Sequence, residues 1–561
     1  MDAITQKSIN LKNFVSEYST ESFAGFFAYF IRQGSPFEEG RAIDQFESKL
    51  KDLFYLIALN AFSENKGNKR FELDNKLVNK LAKDIKPIKT EYENVENSSL
   101  SHVLHTMAFQ NYFHNGTLSY VQQDIEKIRR VFLHFDKAIE EHFGFNVETA
   151  IEIYKHTELI FKIRFESMMA YAKTTEFKQF RENINNNKYS IEKDFDKLTE
   201  GVQQGYLRFI ENPYSSFLFT NEDLYLSFEK EKVDAFLKLF SSTPSPRNYL
   251  YYTDPNPLEE APILKVGDNK YLHIYQRQIV IAIYNRFYSF LMNEEKYFDK
   301  IRKHRDKQLE KKVTEMFEEF FKKDFHIYKN YYVVNNYEQD LLIISKGIAF
   351  IIEIKASKMR EPLRDVEKGV LKIRNDFKSS IQYGYKQCKR VEDLFKEGTT
   401  FNVLDKKNKI LHTINPQKYH AVFSIIVTLE RWGALQSNLD LLLEKEKEDN
   451  FPWAVYIDDL EITLMAFKKL FRNHIGNFVS FLKERRKLHG RSYTIDELDI
   501  CAEYLMDTPK FIKNANLTEA FMMYSPKNQN FFDDLYNHGI LKFKEEVIPT
   551  PFTLKLQTQK S

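Results

Sequence analysis

Tyr337-Glu338-Gln339-Asp340-Leu341-Leu342-Ile343-Ile344-Ser345-Lys346-Gly347-Ile348-Ala349-Phe350-Ile351-Ile352-Glu353-Ile354-Lys355-Ala356-Ser357-Lys358 sets two apolar runs on either side of a short polar break. The runs read as strands and the break as a tight turn at Ser345, Lys346 and Gly347. Strands this apolar are buried on both faces, where an unpaired carboxylate costs on the order of several kcal/mol. Glu338, Asp340, Glu353 and Lys355 therefore each need a reason. If Lys346 and Gly347 are the two loop residues, Asp340 faces Glu353 across the hairpin. A slip of one residue would put them on opposite faces. Glu353 and Lys355 share a face in any register, because side chains alternate with period two. Two carboxylates and an amine then converge on one patch. Such a pair binds a hard divalent cation through oxygen, and magnesium keeps waters that can be activated for attack on a phosphodiester. The amine can orient or deprotonate that water, or neutralise charge building on the phosphate.

Outward from this stretch, 561 residues exceed one ordinary core, so several domains are expected. Lys and Arg total 82 against 80 Asp and Glu, which excludes a basic field over the whole protein and leaves nucleic-acid contact to local patches. Two cysteines, Cys388 and Cys501, make neither a disulfide framework nor a four-cysteine zinc site, which fits a reducing cytoplasm. The first residues lack a basic region followed by an apolar core, and the window Ile279 to Met292 is too short and too interrupted to span a bilayer. A cytoplasmic protein without a membrane segment is expected.

Residues 1–245 carry amphipathic stretches at helical spacing, among them 46–62, 118–145 and 150–171, and few that alternate like strands. We read them as a helical recognition or regulatory domain. Four prolines between 244 and 257 mark a boundary, after which 246–300 reads as a small hairpin, turning at Gly267-Asp268-Asn269, plus a connecting helix. Residues 301–490 supply an amphipathic helix over 303–323, a strand over 328–334, the central hairpin, a helix over 366–395, a loop over 398–415, a strand over 419–429 and a further strand after Phe451. Residues 491–561 form a helical extension, with Asp496-Glu497-Leu498-Asp499 at a helix N-terminus. The fold class expected is α+β, a large all-α N-terminal half ahead of a region of mixed helices and strands and a helical tail; the resemblance described next implies that this region is an α/β/α core with a mixed sheet.

The order of elements and the residues Asp340 and Glu353-Ile354-Lys355 resemble the PD-(D/E)XK, restriction-endonuclease-like nuclease superfamily, and the flanks resemble large bacterial anti-phage defence nucleases. Gln339 stands where the proline that names the superfamily would be. The resemblance implies that Asp340, Glu353 and the carbonyl of Ile354 ligate Mg2+, with Mn2+ as a substitute. It implies further that Lys355 positions the attacking water, that Glu310 on the preceding helix holds a second ion or its water, and that Gln387 orients Lys355 or a phosphate. Lys358, Arg360, Lys386, Lys389 and Arg390 are the candidate phosphate contacts, set against the bland reading of a solvated helix face. The function implied is a metal-dependent DNA endonuclease in anti-phage defence. A homo-oligomer would let two strands be cut together, and a partner or trigger would act through the helical half.

Two alternatives belong to other classes. Arg129 and His134, in Arg129-Arg130-Val131-Phe132-Leu133-His134, resemble the Arg-x4-6-His motif of HEPN ribonucleases, although the same residues also read as an ordinary basic position and a half-buried histidine on a helix. The other alternative is a non-catalytic nucleic-acid-binding or scaffold protein whose acidic sheet makes only ion pairs. His102, His105 and His114 lack the Glu or Cys that a zinc site would need at ligand spacing.

Overall fold

The computed structural model describes residues 2–32, 45–72, 74–93, 99–114, 120–323, 325–333, 337–517 and 520–547. They form two compact units: Met1–Glu91 with Tyr120–Ile301 and Phe543–Ser561, and Tyr92–Ser119 with Arg302–Lys542. This division differs from the four consecutive segments expected. The 246–300 region falls in the first unit, and part of the helical half falls in the second.

In the first unit, the helices Val121–Phe132, Val147–Met168, Lys230–Phe240 and Gln276–Asn293 bury one apolar stripe each. Ile125, Phe132, Ile151, Phe236, Ile283 and Phe287 meet in their shared core. The expected hairpin is present as Ile263–Gly267 antiparallel to Lys270–His273. Leu218–Thr220 and Ser241–Ser242 extend it into a four-stranded sheet, and they are the only strands among the described residues up to 245.

The second unit is built on a seven-stranded mixed sheet. Its strands are β1 (His326–Tyr332), β2 (Glu338–Ser345), β3 (Ile348–Lys355), β4 (Phe401–Leu404), β5 (Ile410–Ile414), β6 (Ala421–Thr428) and β7 (Trp453–Tyr456). Their order is β7-β6-β3-β2-β1-β4-β5. β6 runs parallel to both β3 and β7, and the remaining pairs are antiparallel. The central hairpin has the register expected, with Leu341 opposite Ile352 and Ser345 opposite Ile348. Lys346 and Gly347 both have positive φ, 48° and 76°, the pattern of a two-residue hairpin turn whose twist matches that of the strands. Glycine is also required at 347 by space, since a Cβ would lie 3.0 Å from the carbonyl oxygen of Lys418.

Helices cover both faces of this sheet. They are α1 (Leu100–His114), α2 (Glu295–Phe321), α3 (Val366–Phe377), α4 (Tyr383–Glu397), α5 (Ile457–Leu470), α6 (His474–Arg485) and α7 (Glu497–Met506). On one face, Leu342, Ile344, Ala349 and Ile351 pack with Phe377, Tyr385, Cys388 and Val391 of α3 and α4. On the other, Phe350 meets Phe321 of α2 and Phe478 of α6, with ring centroids 5.3 and 6.2 Å away. Burial on both sides explains why β2 and β3 read as unbroken apolar runs. The span expected as one helix over 366–395 is two helices joined by a π-turn at Lys378–Gln382, and the span expected as a loop over 398–415 contains the β4–β5 hairpin. Asp496 caps α7 by accepting from the Leu498 N–H at 2.8 Å, as its acidic first turn implied. The last residue of the strand expected over 328–334, Val334, lies outside the described residues. Among the described residues, no helix is long and apolar enough to cross a membrane.

α1 belongs to this unit although it precedes the sheet by some two hundred residues. Leu104, Met107 and Ala108 pack on Val370 and Ile373 of α3 and on Ala434 and Leu435. His105 Nε2 lies 2.8 Å from the Leu363 carbonyl oxygen, while His102 Nδ1 pairs with the Ser99 hydroxyl at 2.8 Å. The two histidines therefore serve different partners, and the side chain of His114 lies outside the described residues.

Candidate active site

The charges that interrupt the hairpin gather at one end of the sheet. Glu353 is fully buried in the middle of the layer, flanked by Asp340 across the β2–β3 pair and by Lys355 two residues on. Lys355 Nζ donates to Glu353 Oε2 at 2.9 Å and lies 3.4 Å from Asp340 Oδ2. The Ile354 N–H donates to Asp340 Oδ2 at 2.6 Å, and the Asp340 N–H to Glu353 Oε1 at 3.3 Å. The strand register thus delivers the pair, and backbone bonds hold it.

The electrostatics follow from burial. Glu353 is pushed up to about 8, first by burial and then by the charge of Asp340, with Lys355 opposing. For Lys355, burial acts to lower the ammonium, but the charges of Glu353 and Asp340 outweigh it and hold the group above its ordinary range. Glu310 on α2 is raised by burial and then by Asp340. Arg305, on the same helix, ties it to the end of β3 by donating to the Ala356 carbonyl at 3.2 Å.

Three carboxyls against one ammonium leave an excess of negative charge that favours a cation or a retained proton. The donor set fits magnesium, which uses one or two carboxylates and keeps several waters. Among the described residues, no three His, Cys, Asp or Glu side chains converge tightly enough to cage a metal unaided. Asp340 and Glu353, with the Ile354 carbonyl, are the groups that would hold such an ion.

Gln387 lies on α4 at 6% exposure, and its Nε2 reaches the Glu338 carbonyl at 3.5 Å rather than Lys355. Its Oε1 is buried without a hydrogen-bond partner among the described residues. Glu338 points to solvent and accepts from the Tyr332 hydroxyl at 2.7 Å, so its contacts lie at the sheet edge. The basic residues divide. Arg360 is engaged with Asp376 at 2.6 Å, and Lys389 with Asp393 at 3.0 Å and Asp449 at 3.1 Å. Arg390 stacks on the Tyr337 ring at 4.1 Å. Lys358 and Lys386 are exposed with no ion pair among the described residues.

Three further residues at the site are weakly marked in the sequence or not marked at all. The Tyr383 ring lies 5.5 Å from Lys355 Nζ. Gly384 lets α4 approach, since a Cβ there would stand 3.2 Å from Lys355 Cε and 3.1 Å from Ile426 Cγ2; a glycine inside a helical run was the available clue. Tyr331 is buried on β1, its phenol pushed well up by burial and then by Glu353, Cys388 and Asp340.

Residues 305–427 match the model of the nuclease-related domain family, NERD. The matched span runs from α2 to the end of β6 and contains Glu310, Asp340, Glu353, Lys355, Gln387 and Arg390. The nuclease-related domain is PD-(D/E)XK-like, which agrees with the motif on β2 and β3. No curated protein matches the chain, and no solved structure does. The second unit therefore contains a segment similar to a nuclease-related domain, which supports a nuclease.

In the first unit, Arg129 donates to Glu148 at 2.8 Å and also to Glu545, and these partners hold its guanidinium above its ordinary range. The helix carrying it ends at Phe132, and His134 follows in a 3-10 turn at the surface.

Proposed function

We propose that the protein is a metal-dependent endonuclease that hydrolyses phosphodiester bonds of DNA, with anti-phage defence as the setting its resemblance suggests. The observation that supports this most is the Asp340–Glu353–Lys355 cluster inside the segment that matches a nuclease-related domain. A magnesium ion bound there would supply an activated water and polarise the scissile phosphate. Asp340 and Glu353 hold that position, and the bond from Ile354 N–H fixes the Asp340 rotamer. Lys355, kept as an ammonium by both carboxylates, acts as an electrostatic clamp on charge developing at the phosphate and orients the nucleophile, rather than accepting its proton. Gln387, whose buried Oε1 has no partner among the described residues, would meet that water or the phosphate only after its side chain turns from the Glu338 carbonyl. Lys358 and Lys386 are the cations free to meet the backbone of the strand.

The test is incubation of purified protein with plasmid, linear duplex, single-stranded DNA and RNA, each with magnesium or EDTA. Cleavage of DNA that needs magnesium and disappears in Glu353→Gln and Lys355→Ala supports the reading. Cleavage that survives EDTA and is lost in His134→Ala would transfer the activity to the ribonuclease alternative. Against that alternative stands Arg129, whose guanidinium is already occupied by two carboxylates.

A further inference from the structure

Resting on the nuclease reading, we propose that Tyr383 and Tyr337 are base-stacking platforms beside the cluster, and that the substrate is DNA whose bases are unpaired next to the scissile phosphate. Tyr383 is the first residue of α4 after the π-turn, and its ring is 49% exposed although it lies 5.5 Å from the buried Lys355 ammonium. Tyr337, three residues before Asp340, is 51% exposed with the Arg390 guanidinium 4.1 Å above its ring. Single exposed tyrosines are ordinary. These two are joined by the geometry of α4.

Positions 383, 387 and 390 recur at spacings of four and three, so they lie along one face of the helix. That face meets the site three times: Tyr383 at Lys355, Gln387 at the Glu338 carbonyl and Arg390 at Tyr337. Seven residues of helix advance about 10 Å. A stacked strand rises about 3.4 Å per nucleotide, so the row accommodates about three nucleotides. Each end of the row then presents an aromatic ring next to a cation, and between them the buried Gln387 amide holds the Glu338 carbonyl. Aromatic faces take any base and leave phosphates to the free lysines, which is the chemistry of single-strand binding without sequence readout. A paired duplex offers no exposed base face to either ring.

The protein supplies its own control for an optical test, because both tryptophans, Trp432 and Trp453, are buried. In Tyr383→Trp, the added indole is the sole exposed one, and EDTA keeps any substrate intact. A 12-nucleotide single strand is expected to quench the emission that this variant adds, while its blunt duplex does not. Tyr383→Ala should weaken single-strand affinity by about tenfold and Tyr383→Phe by less than twofold, since stacking needs the ring and not the hydroxyl. Tyr337→Ala should weaken it by a similar factor. No quenching, together with wild-type affinity in both alanine variants, would overturn the proposal, as would equal quenching by duplex. If the wild type cleaves nothing in magnesium yet the quenching is seen, the nuclease reading fails and the stacking platform stands. If duplex is cleaved as fast as single strand and Tyr383→Ala cleaves normally, the nuclease reading stands and the platform fails.

Discussion

Glu353 is a side chain that an apolar strand could carry only with partners, and its two partners are separately testable. In Glu353→Gln, the substitute keeps the shape but cannot ionise to hold a cation, so folding should persist while cleavage falls by about a hundredfold or more, as read by plasmid nicking in magnesium. Lys355→Ala should reduce cleavage by roughly the same order. A second carboxyl, raised to the same range as Glu353, contributes to the pH response of stability away from the site. Asp499, on α7, is pushed up to about 8 by burial and then by the charge of Asp496. The folded state therefore binds a proton that the unfolded chain releases near 3.8. That stabilisation is complete below the unfolded value, declines as pH rises and is gone above about 8. Thermal melts from pH 5 to 8.5 should fall with pH in the wild type and less steeply in Asp499→Asn. Of these side chains, Asp340, Glu353 and Lys355 were legible in the sequence because charge in an apolar strand is conspicuous. Tyr383 and Tyr331 were not, because a tyrosine among 32 others carries no local mark.

Elements were legible where the local rule was strong. The β2–β3 hairpin followed from two apolar runs and a Lys-Gly turn, and its register came with it. The β4–β5 hairpin was missed because its turn, Asp405 to Lys409, is a polar run between short strands, and only Asn408, with φ of 60°, marks the reversal. The π-turn between α3 and α4 has no sequence signature of its own, although it sets where Tyr383 begins the next helix. Gly347→Ala should destabilise by about 1–2 kcal/mol in urea unfolding, since alanine resists the left-handed backbone that the turn requires. Phe350→Ala, which empties the seat between α2 and α6, should cost about 3–5 kcal/mol.

On the scale of the molecule, contiguity in sequence was a poor guide to contiguity in space. A segment inside the helical half supplies α1 to the second unit, and nothing local in 99–114 announces that its apolar face belongs on Val370 and Leu435. Leu104→Ala should therefore destabilise the second unit by about 2–5 kcal/mol, visible as a lower midpoint for loss of nuclease activity on heating. The helical regions before and after the sheet were by contrast foreseeable from periodicity, and the mixed sheet between helices from the resemblance that the Asp340 and Glu353-Ile354-Lys355 motif carries.

That discontinuity has a consequence in time. Chains leave the ribosome at about 5–20 residues per second, so the apolar face of α1 waits roughly 20–60 seconds before residue 435 emerges to cover it. The first unit waits longer still, because Phe543 and Glu545 return to Tyr120 and Arg129. A nascent chain stopped just before that point has all of the second unit, with the carboxylates of β2 and β3, yet lacks the segment that completes the first, so the two units are finished in the reverse of the order in which they begin.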